Sequence, residues 1–415
     1  MLNYNKNTIL LTKDILRSDY LRCYNPNSLF NTKHIDALAS KGTLFSRYYC
    51  SSPSSGMAAS CSFSGLNAYE LDRKTFKEVD DFTQSKTLFN ILEENGVKTH
   101  VLWSSEFEHL AYSHSKVFDS NTLIHYAPLG GSLDVTPQKH AFPTEQQISE
   151  KYDLADYFLN YLKDLDSRET SPWFVWCHCP HVFEPFDSYG SDIGHFDDFV
   201  GRVSKEINSE IILSGDHGHN ICEKGRIVYG FDVYESSIHI PLITPHYFGK
   251  QMVDFPVSQS QLNDIILYKE LEKRTFIYSD TQYYEQPDRK LMIMKDDYKY
   301  IYNKIDNSEE LYDLNFDANE NVNLLVKFWP DYDRNSSYRL DEVVFYPSWN
   351  NAKEYYNLLK SEKNRIWRTG NFLNEYSKGL KSRLAKGNIF NAFKTKKRAH
   401  FTEGKWGCER ARVNI

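Results

Sequence analysis

Three short stretches carry residues whose types and spacing could do chemistry. In "LSGDHGH" (213–219), Asp216 and His217 stand side by side after an apolar run. A carboxylate beside an imidazole suits Zn²⁺ or Mn²⁺, and Gly215 and Gly218 would permit the bend that brings both to one ion. A turn with a capping aspartate explains the same letters equally well. Asp14 closes "NTILLTKD"; it could complete such a metal site or cap a helix. In "HCPHVFEP", His178 and His181 could each bind a second metal or protonate a leaving group, or be ordinary core or surface histidines. A fourth stretch, "YYCSSPSSGMAASCSFSG" (48–65), crowds Ser51, Ser52, Ser54, Ser55 and Ser60 around Pro53. So long a run of small residues predicts a turn into a tightly packed helix. Which serine, if any, is a nucleophile stays open at this level.

The elements that must position these residues can be read from the apolar pattern. "NTILLTKD", "PWFVWCHCPH", "SEIILSGDHGH" and "IHIPLIT" predict buried strands. "TKHIDALASKG" predicts a helix with Ile35, Leu38 and Ala39 on one face and Gly42 as its stop. "SKTLFNILEENGVKTHVLWSS" reads as helix, Gly96 stop, strand, and "ISEKYDLADYFLNYLKDLD" as an amphipathic helix. "RKLMIMKDDYKYIYNK" alternates as an antiparallel hairpin does. Strands alternating with helices imply an α/β fold, a mostly parallel sheet flanked by helices. Ligands bind such sheets beyond the carboxyl ends of the strands. Asp14, the 178–181 segment and the 216–219 segment each close a predicted strand, so packing alone explains them poorly.

Together these residues resemble the sulfatase and alkaline phosphatase superfamily, over roughly Asn7 to Val326. "TILLTKDILRSDYLRCYN", "FNTKHIDALASKGTLFSRYY", "LSGDHGH" with "VYESSIHIPLI", and "DDYKYIYNKIDNSEELYDLNFDANENVNLL" are similar to four ordered motifs of that family. The last of these points to the sulfatase branch. The resemblance implies an alkaline-phosphatase-like fold with a smaller C-terminal antiparallel subdomain. It matches Ser55 to the nucleophile, with Ser54 as the near alternative. Asp14, Asp216 and His217 match metal ligands, joined by Ser55 itself, and His178 matches a histidine that contacts the ester or a second metal. It implies a divalent ion, with Zn or Mn ahead of Ca or Mg.

The chain also departs from the sulfatase pattern. Sulfatases convert a Cys or Ser in C/S-x-P-x-R to formylglycine, whereas Ser55 is followed by "GMAA". Ser55 is therefore expected to remain a hydroxyl, which suits phosphoryl transfer better than sulfate chemistry. Ile15 stands where sulfatases place a second aspartate, and the lysine of their "GKWH" motif has no match in "VKTHVLWSSE", where Ser104 follows Trp103. Lys224 or Tyr229 are the candidates to replace a missing basic residue after the DHG motif. Lys13 and Arg17 are candidates to bind a non-bridging oxygen, set against a plain surface charge.

The expected function is a metal-dependent phosphate-ester hydrolase or phosphotransferase acting on a phospho-substituted glycan or small molecule. A sulfuric ester hydrolase and a non-catalytic glycan- or partner-binding protein are the alternatives. The 415 residues allow a large α/β domain over 1–265, an antiparallel subdomain over 266–345 and a basic, helical extension over 346–415. Net charge is −7, yet residues 351–415 hold 16 Lys and Arg against 5 Asp and Glu. A basic tail on an acidic body fits contact with a polyanion or a membrane surface, or docking on the body itself; nucleic acid is not expected. No stretch reaches the roughly 18–20 apolar residues that span a bilayer. The start does not read as a signal peptide, and the seven cysteines are irregularly spaced. Free thiols and a cytoplasmic location are the expectation.

Overall fold

The computed structural model describes residues 4–71, 86–104, 117–127, 145–180, 189–225, 227–281, 289–325 and 349–369. Strand β1 (Thr8–Lys13) is buried along its whole length. It pairs in parallel with two later strands. Helix α1 (Lys33–Lys41), β2 (Thr43–Phe45), β3 (Tyr48–Tyr49), α2 (Ser55–Ser64) and α3 (Leu88–Glu94) follow. Next come β4 (Lys98–Ser104), β5 (Leu123–Ala127), α4 (Glu145–Arg168), β6 (Trp173–Cys179), α5 (Tyr189–Glu206) and β7 (Glu210–Gly215). A set of short pieces completes the large unit: β8 (Asn220–Ile221), β9 (Ile227–Val228), α6 (Glu235–Ile238), β10 (His239–Ile240), β11 (Leu242–Thr244), β12 (Met252–Val253), β13 (Val257–Ser258) and α7 (Leu262–Tyr268).

The main sheet has eight strands in the order β12-β2-β11-β7-β1-β6-β4-β5, and its five strands from β7 to β5 run parallel. Alternation along β1 sends Leu10 to one core and Ile9 and Leu11 to the other. One face packs on α1, α4 and α5 through Ile35, Phe158 and Phe199, and the other on α2, α3 and α7 through Phe63, Phe89 and Ile265. The predicted strand "IHIPLIT" is two strands, because Pro241 has no amide to donate and splits it into β10 and β11. β5 and α5 are elements beyond the sequence expectations, although Ile193, Phe196, Phe199, Val200 and Val203 fall at helical spacing along α5.

A second sheet is antiparallel: β14 (Ile277–Asp280), β15 (Lys290–Lys295), β16 (Tyr298–Asn303) and β17 (Glu309–Asp313), in that order. Its alternation is two-sided. Met292, Met294 and Ile301 join the core of the large unit, while Leu291, Ile293 and Tyr300 face helix α8 (Trp349–Thr369). Ala352, Leu359 and Ile366, spaced by seven, form the buried stripe of α8. Residue 265, the expected boundary, lies within α7. The expected boundary at 345 and the tail from 370 onward lie outside the described residues. Among the described residues no helix is long and apolar enough to cross a membrane.

Candidate metal centre and active site

Register places the site. Lys13 of β1 lies opposite Cys179 of β6 and Gly215 of β7, so the three strands end level. The next residues, Asp14 and Asp216, therefore emerge together at the carboxyl edge of the sheet. The Asp14 amide stays in the ladder, donating to the Cys179 carbonyl at 2.9 Å. The chain then turns sharply at Ile15, whose φ of 54° is left-handed. Such a backbone is costly for a β-branched residue and gathers at functional sites. Here it aims the Ile15 amide at Asp216 Oδ1, 3.0 Å away.

The fourth member arrives from the serine run. Ser54 is the extended N-cap residue and Ser55 the first residue of α2. Every residue from Gly56 to Ser64 is buried, and Gly65 closes the helix at φ 76°. Small side chains let α2 sit this deep, with Ser60 and Ser62 hydroxyls satisfied by the Gly56 and Ala58 carbonyls at 2.9 Å each. The positive end of the helix thereby faces the cluster, where an anion is favoured.

Ser55 Oγ lies 3.1 Å from His217 Nε2 and 3.5 Å from Asp14 Oδ1. His217 Nε2 is 3.5 Å from Asp14 Oδ1 and 3.6 Å from Asp216 Oδ2. His217 Nδ1 lies 2.9 Å from the Gly218 carbonyl, which can only accept, so Nδ1 carries the proton. In the neutral ring Nε2 then offers its lone pair to the cluster. Asp216 Oδ1 accepts from the Ile15 and His217 amides, whereas Oδ2 is buried with no hydrogen-bond partner. Buried lone pairs converging with nothing between them are costly. Asp14, Asp216 and His217 bring one ligand atom each within 4.8 Å of one another, so these donors fit a divalent cation.

The glycines act differently from the expectation. Neither Gly215 nor Gly218 has a positive φ. A Cβ on Gly215 would come within 2.6 Å of the Leu16 carbonyl oxygen, and one on Gly218 within 2.1 Å of the Ser236 carbonyl oxygen. They are there because backbone packs against them. The Gly218 and His219 amides donate to the Ser237 and Ser236 carbonyls of α6 at 2.8 and 2.9 Å. That helix is fixed by a buried ion cluster: Lys299 of β16 bonds Glu235 at 2.9 Å and Glu320 at 2.7 Å. The small sheet thus braces the Asp216–His219 turn. Burial, joined by repulsion from Glu235, pushes the Glu320 carboxyl up to about 7 against the pull of the Lys299 ammonium.

The remaining expected site residues divide. His178 Nε2 stands 3.5 Å from Asp216 Oδ2, walled by Trp103 and Trp176. The Tyr229 ring stacks on His217 with centroids 4.7 Å apart. Lys13 is buried and held by Asp192 at 2.6 Å and the Pro180 carbonyl at 2.8 Å, so its charge fixes the segment after β6 instead of meeting an ester. Arg17 makes a two-point contact with Asp19 and a 2.6 Å bond to Glu223. It clamps the 219–223 segment. Lys224 donates to the Glu320 carbonyl and lies over the Tyr234 and Tyr312 rings, on the side of the small sheet. His181 lies outside the described residues. Among the cysteines, Cys23, Cys50, Cys61, Cys177 and Cys179 are free thiols, but Cys222 is disulfide-bonded, against the expectation.

Fold and site define a hydrolase of ester bonds. The sulfatase family profile matches residues 6–264, and the chain belongs to that family. Solved structures agree on the fold. The phosphonate monoester hydrolase of Agrobacterium radiobacter is 14% identical with a TM-score of 0.62, over 87% of this chain and 96% of that one. A 2-O GAG sulfatase is 14% identical with a TM-score of 0.61, over 87% and 92%. Ps i-CgsB, solved with k-i-k-neocarrahexaose, is 15% identical with a TM-score of 0.60, over 93% and 99%. No curated protein matches the chain in sequence.

Proposed function

We propose that the chain is a metal-dependent phosphate-ester hydrolase or phosphotransferase whose nucleophile is the unmodified Ser55 hydroxyl. The observation that carries this reading is Ser55 Oγ at the start of α2, 3.1 Å from His217 Nε2 and 3.5 Å from Asp14 Oδ1. Asp14, Asp216, His217 and Ser55 would hold the ion, with Zn²⁺ or Mn²⁺ preferred for the mixed carboxylate and imidazole set. A divalent cation there lowers the hydroxyl pKa and neutralises the non-bridging oxygens.

The residues supply the rest. Ser55 loses its proton to solvent and attacks phosphorus in line, and the Oγ–P bond forms as the bond to the leaving oxygen breaks. His178 gives its proton to that oxygen. Water, or an acceptor alcohol, then attacks phosphorus as the Ser55 Oγ–P bond breaks; the attacking oxygen's proton returns to His178, and Ser55 Oγ regains its proton from solvent. Hydrolysis and transfer differ only in this second acceptor. With Lys13, Arg17 and Lys224 held by their own partners, binding of the anion would fall, among the described residues, to the α2 N-terminus together with the cation.

Sulfate-ester hydrolysis is the second reading, favoured by the family itself and by the 2-O GAG sulfatase among the similar folds. The phosphonate monoester hydrolase favours phosphorus, and "GMAA" after Ser55 lacks the Pro and Arg of the aldehyde-forming pattern. A purely binding role does not explain why four reactive groups from three distant segments converge. A glycan or small molecule bearing the ester is the proposed substrate class, handled in the cytoplasm. Five free thiols support that setting and the Cys222 disulfide opposes it. The basic C-terminal segment is assigned contact with a polyanion or membrane surface.

The test is a panel of aryl phosphate monoesters, phosphodiesters and sulfates, with Zn²⁺ or Mn²⁺ and after chelation. Metal-dependent release from a phosphate ester, exceeding that from the sulfate, is expected. Faster sulfate turnover would move the assignment to the second reading.

A further inference from the structure

Gln259 lies in none of the motifs above, yet it joins the two halves of the site. β13 pairs in parallel with β3, Ser258 opposite Tyr49, which sets Gln259 beside the serine run. Its side chain is 3% exposed and both ends of its amide are used. Oε1 accepts from the Ser51 amide at 3.1 Å, and Nε2 donates to the Asp216 backbone carbonyl at 3.0 Å. One end thus holds the loop that leads into Ser55, and the other holds the residue that carries a ligand carboxylate. Only a side chain offering both an acceptor and a donor at this reach can do so, which fixes the orientation of the amide. Leucine offers neither, and an ionised glutamate offers the acceptor alone.

We infer that Gln259 is a positioning residue that sets the separation between Ser55 and the Asp216–His217 pair. The surroundings give the strut something to act against. Ser51 is held from the other side by the Asp280 amide, which donates to its carbonyl at 3.0 Å. Asp216 and His217 are held by their own contacts at the sheet edge, the Ile15 amide and the Gly218 carbonyl. Loss of Gln259 therefore leaves the ligand set assembled and frees the nucleophile loop to shift relative to it. A displacement near 1 Å at a reacting group lowers turnover about 100-fold.

This inference rests on the reading of Ser55 as nucleophile, and the experiment keeps the two apart. Crystal structures of the wild type and of Gln259→Leu, both with Mn²⁺, are compared with Mn²⁺ calorimetry and kinetics on the ester that the wild type cleaves. In Gln259→Leu the Ser55 Oγ to His217 Nε2 distance lengthens by about 1 Å and kcat falls about 100-fold. KM and Mn²⁺ affinity stay within about threefold of wild type. An unchanged Ser55 to His217 distance in Gln259→Leu overturns the inference. So does a loss of Mn²⁺ affinity as large as the loss of kcat, because Gln259 would then support the ligand set itself. A wild type with no ester turnover defeats the nucleophile reading, while the distance still decides the role of Gln259.

Discussion

Ser55→Ala abolishes ester turnover, with kcat falling by about 10⁴-fold or more, as when a covalent nucleophile is lost elsewhere. That corresponds to roughly 5.5 kcal/mol of barrier. The expectation follows from the place of Ser55, the first residue of α2, with its Oγ 3.1 Å from the lone pair of His217 Nε2. The fold should be indifferent to the change. Alanine is a good helix former, and the helix is anchored along Gly56–Ser64. Circular dichroism and the melting temperature should match the wild type, and Mn²⁺ affinity should fall only by the share of one neutral ligand. Ser54→Ala is the paired control. Ser54 forms no capping bond through its side chain, so this variant should keep most activity. If Ser54→Ala were dead and Ser55→Ala active, the nucleophile would be reassigned by one residue.

Asp216→Asn carries the second large effect, on the metal. Oδ1 is already committed to the Ile15 and His217 amides, and Oδ2 is the buried oxygen with no hydrogen-bond partner. The amide keeps the shape and removes the charge that a cation needs. Metal affinity should fall at least about 100-fold, roughly 2.7 kcal/mol, and activity should fall with it at limiting metal. Stability should move the other way in metal-free buffer. The carboxylate cluster of Asp14 and Asp216 repels itself there, so the variant should melt at or above the metal-free wild type. Wild type should gain melting temperature on adding Mn²⁺, and the variant much less. Calorimetry with Mn²⁺ and melting curves with and without a chelator check both statements. Equal metal affinity in variant and wild type would remove Asp216 from the ligand set.

What the sequence disclosed follows the range of the interactions involved. β1, β6 and β7 are apolar runs closed by polar residues, and their level ends follow from parallel register. Asp14, Asp216, His217 and His178 were visible for that reason. Ser55 needed the family pattern, because nothing within five serines distinguishes one from the next until α2 is placed. The cations show the limit. Lys13 directly precedes Asp14 in the chain, but its acid, Asp192, comes from a segment about 180 residues away, and Arg17 joins its neighbour Asp19 to Glu223, 206 residues on. Proximity in sequence gives only part of what a buried cation will find. In the sequence Gly215 and Gly218 suggest backbone freedom, while the structure uses their missing side chains for close approach. Gln259 left no signal, since its role consists of two hydrogen bonds to backbone atoms of remote residues.

The central claim, an unmodified serine hydroxyl as nucleophile, is tested most directly at Ser55 itself. The metal-loaded protein is mixed with its phosphate ester, quenched in acid during turnover and digested, and the peptide containing Ser55 is weighed. Two species are expected: the unmodified serine peptide, and the same peptide with a phosphoryl adduct on Ser55. A resting peptide lighter by about two hydrogens, the mark of an aldehyde formed from serine, with no phosphoryl adduct under turnover, would contradict it.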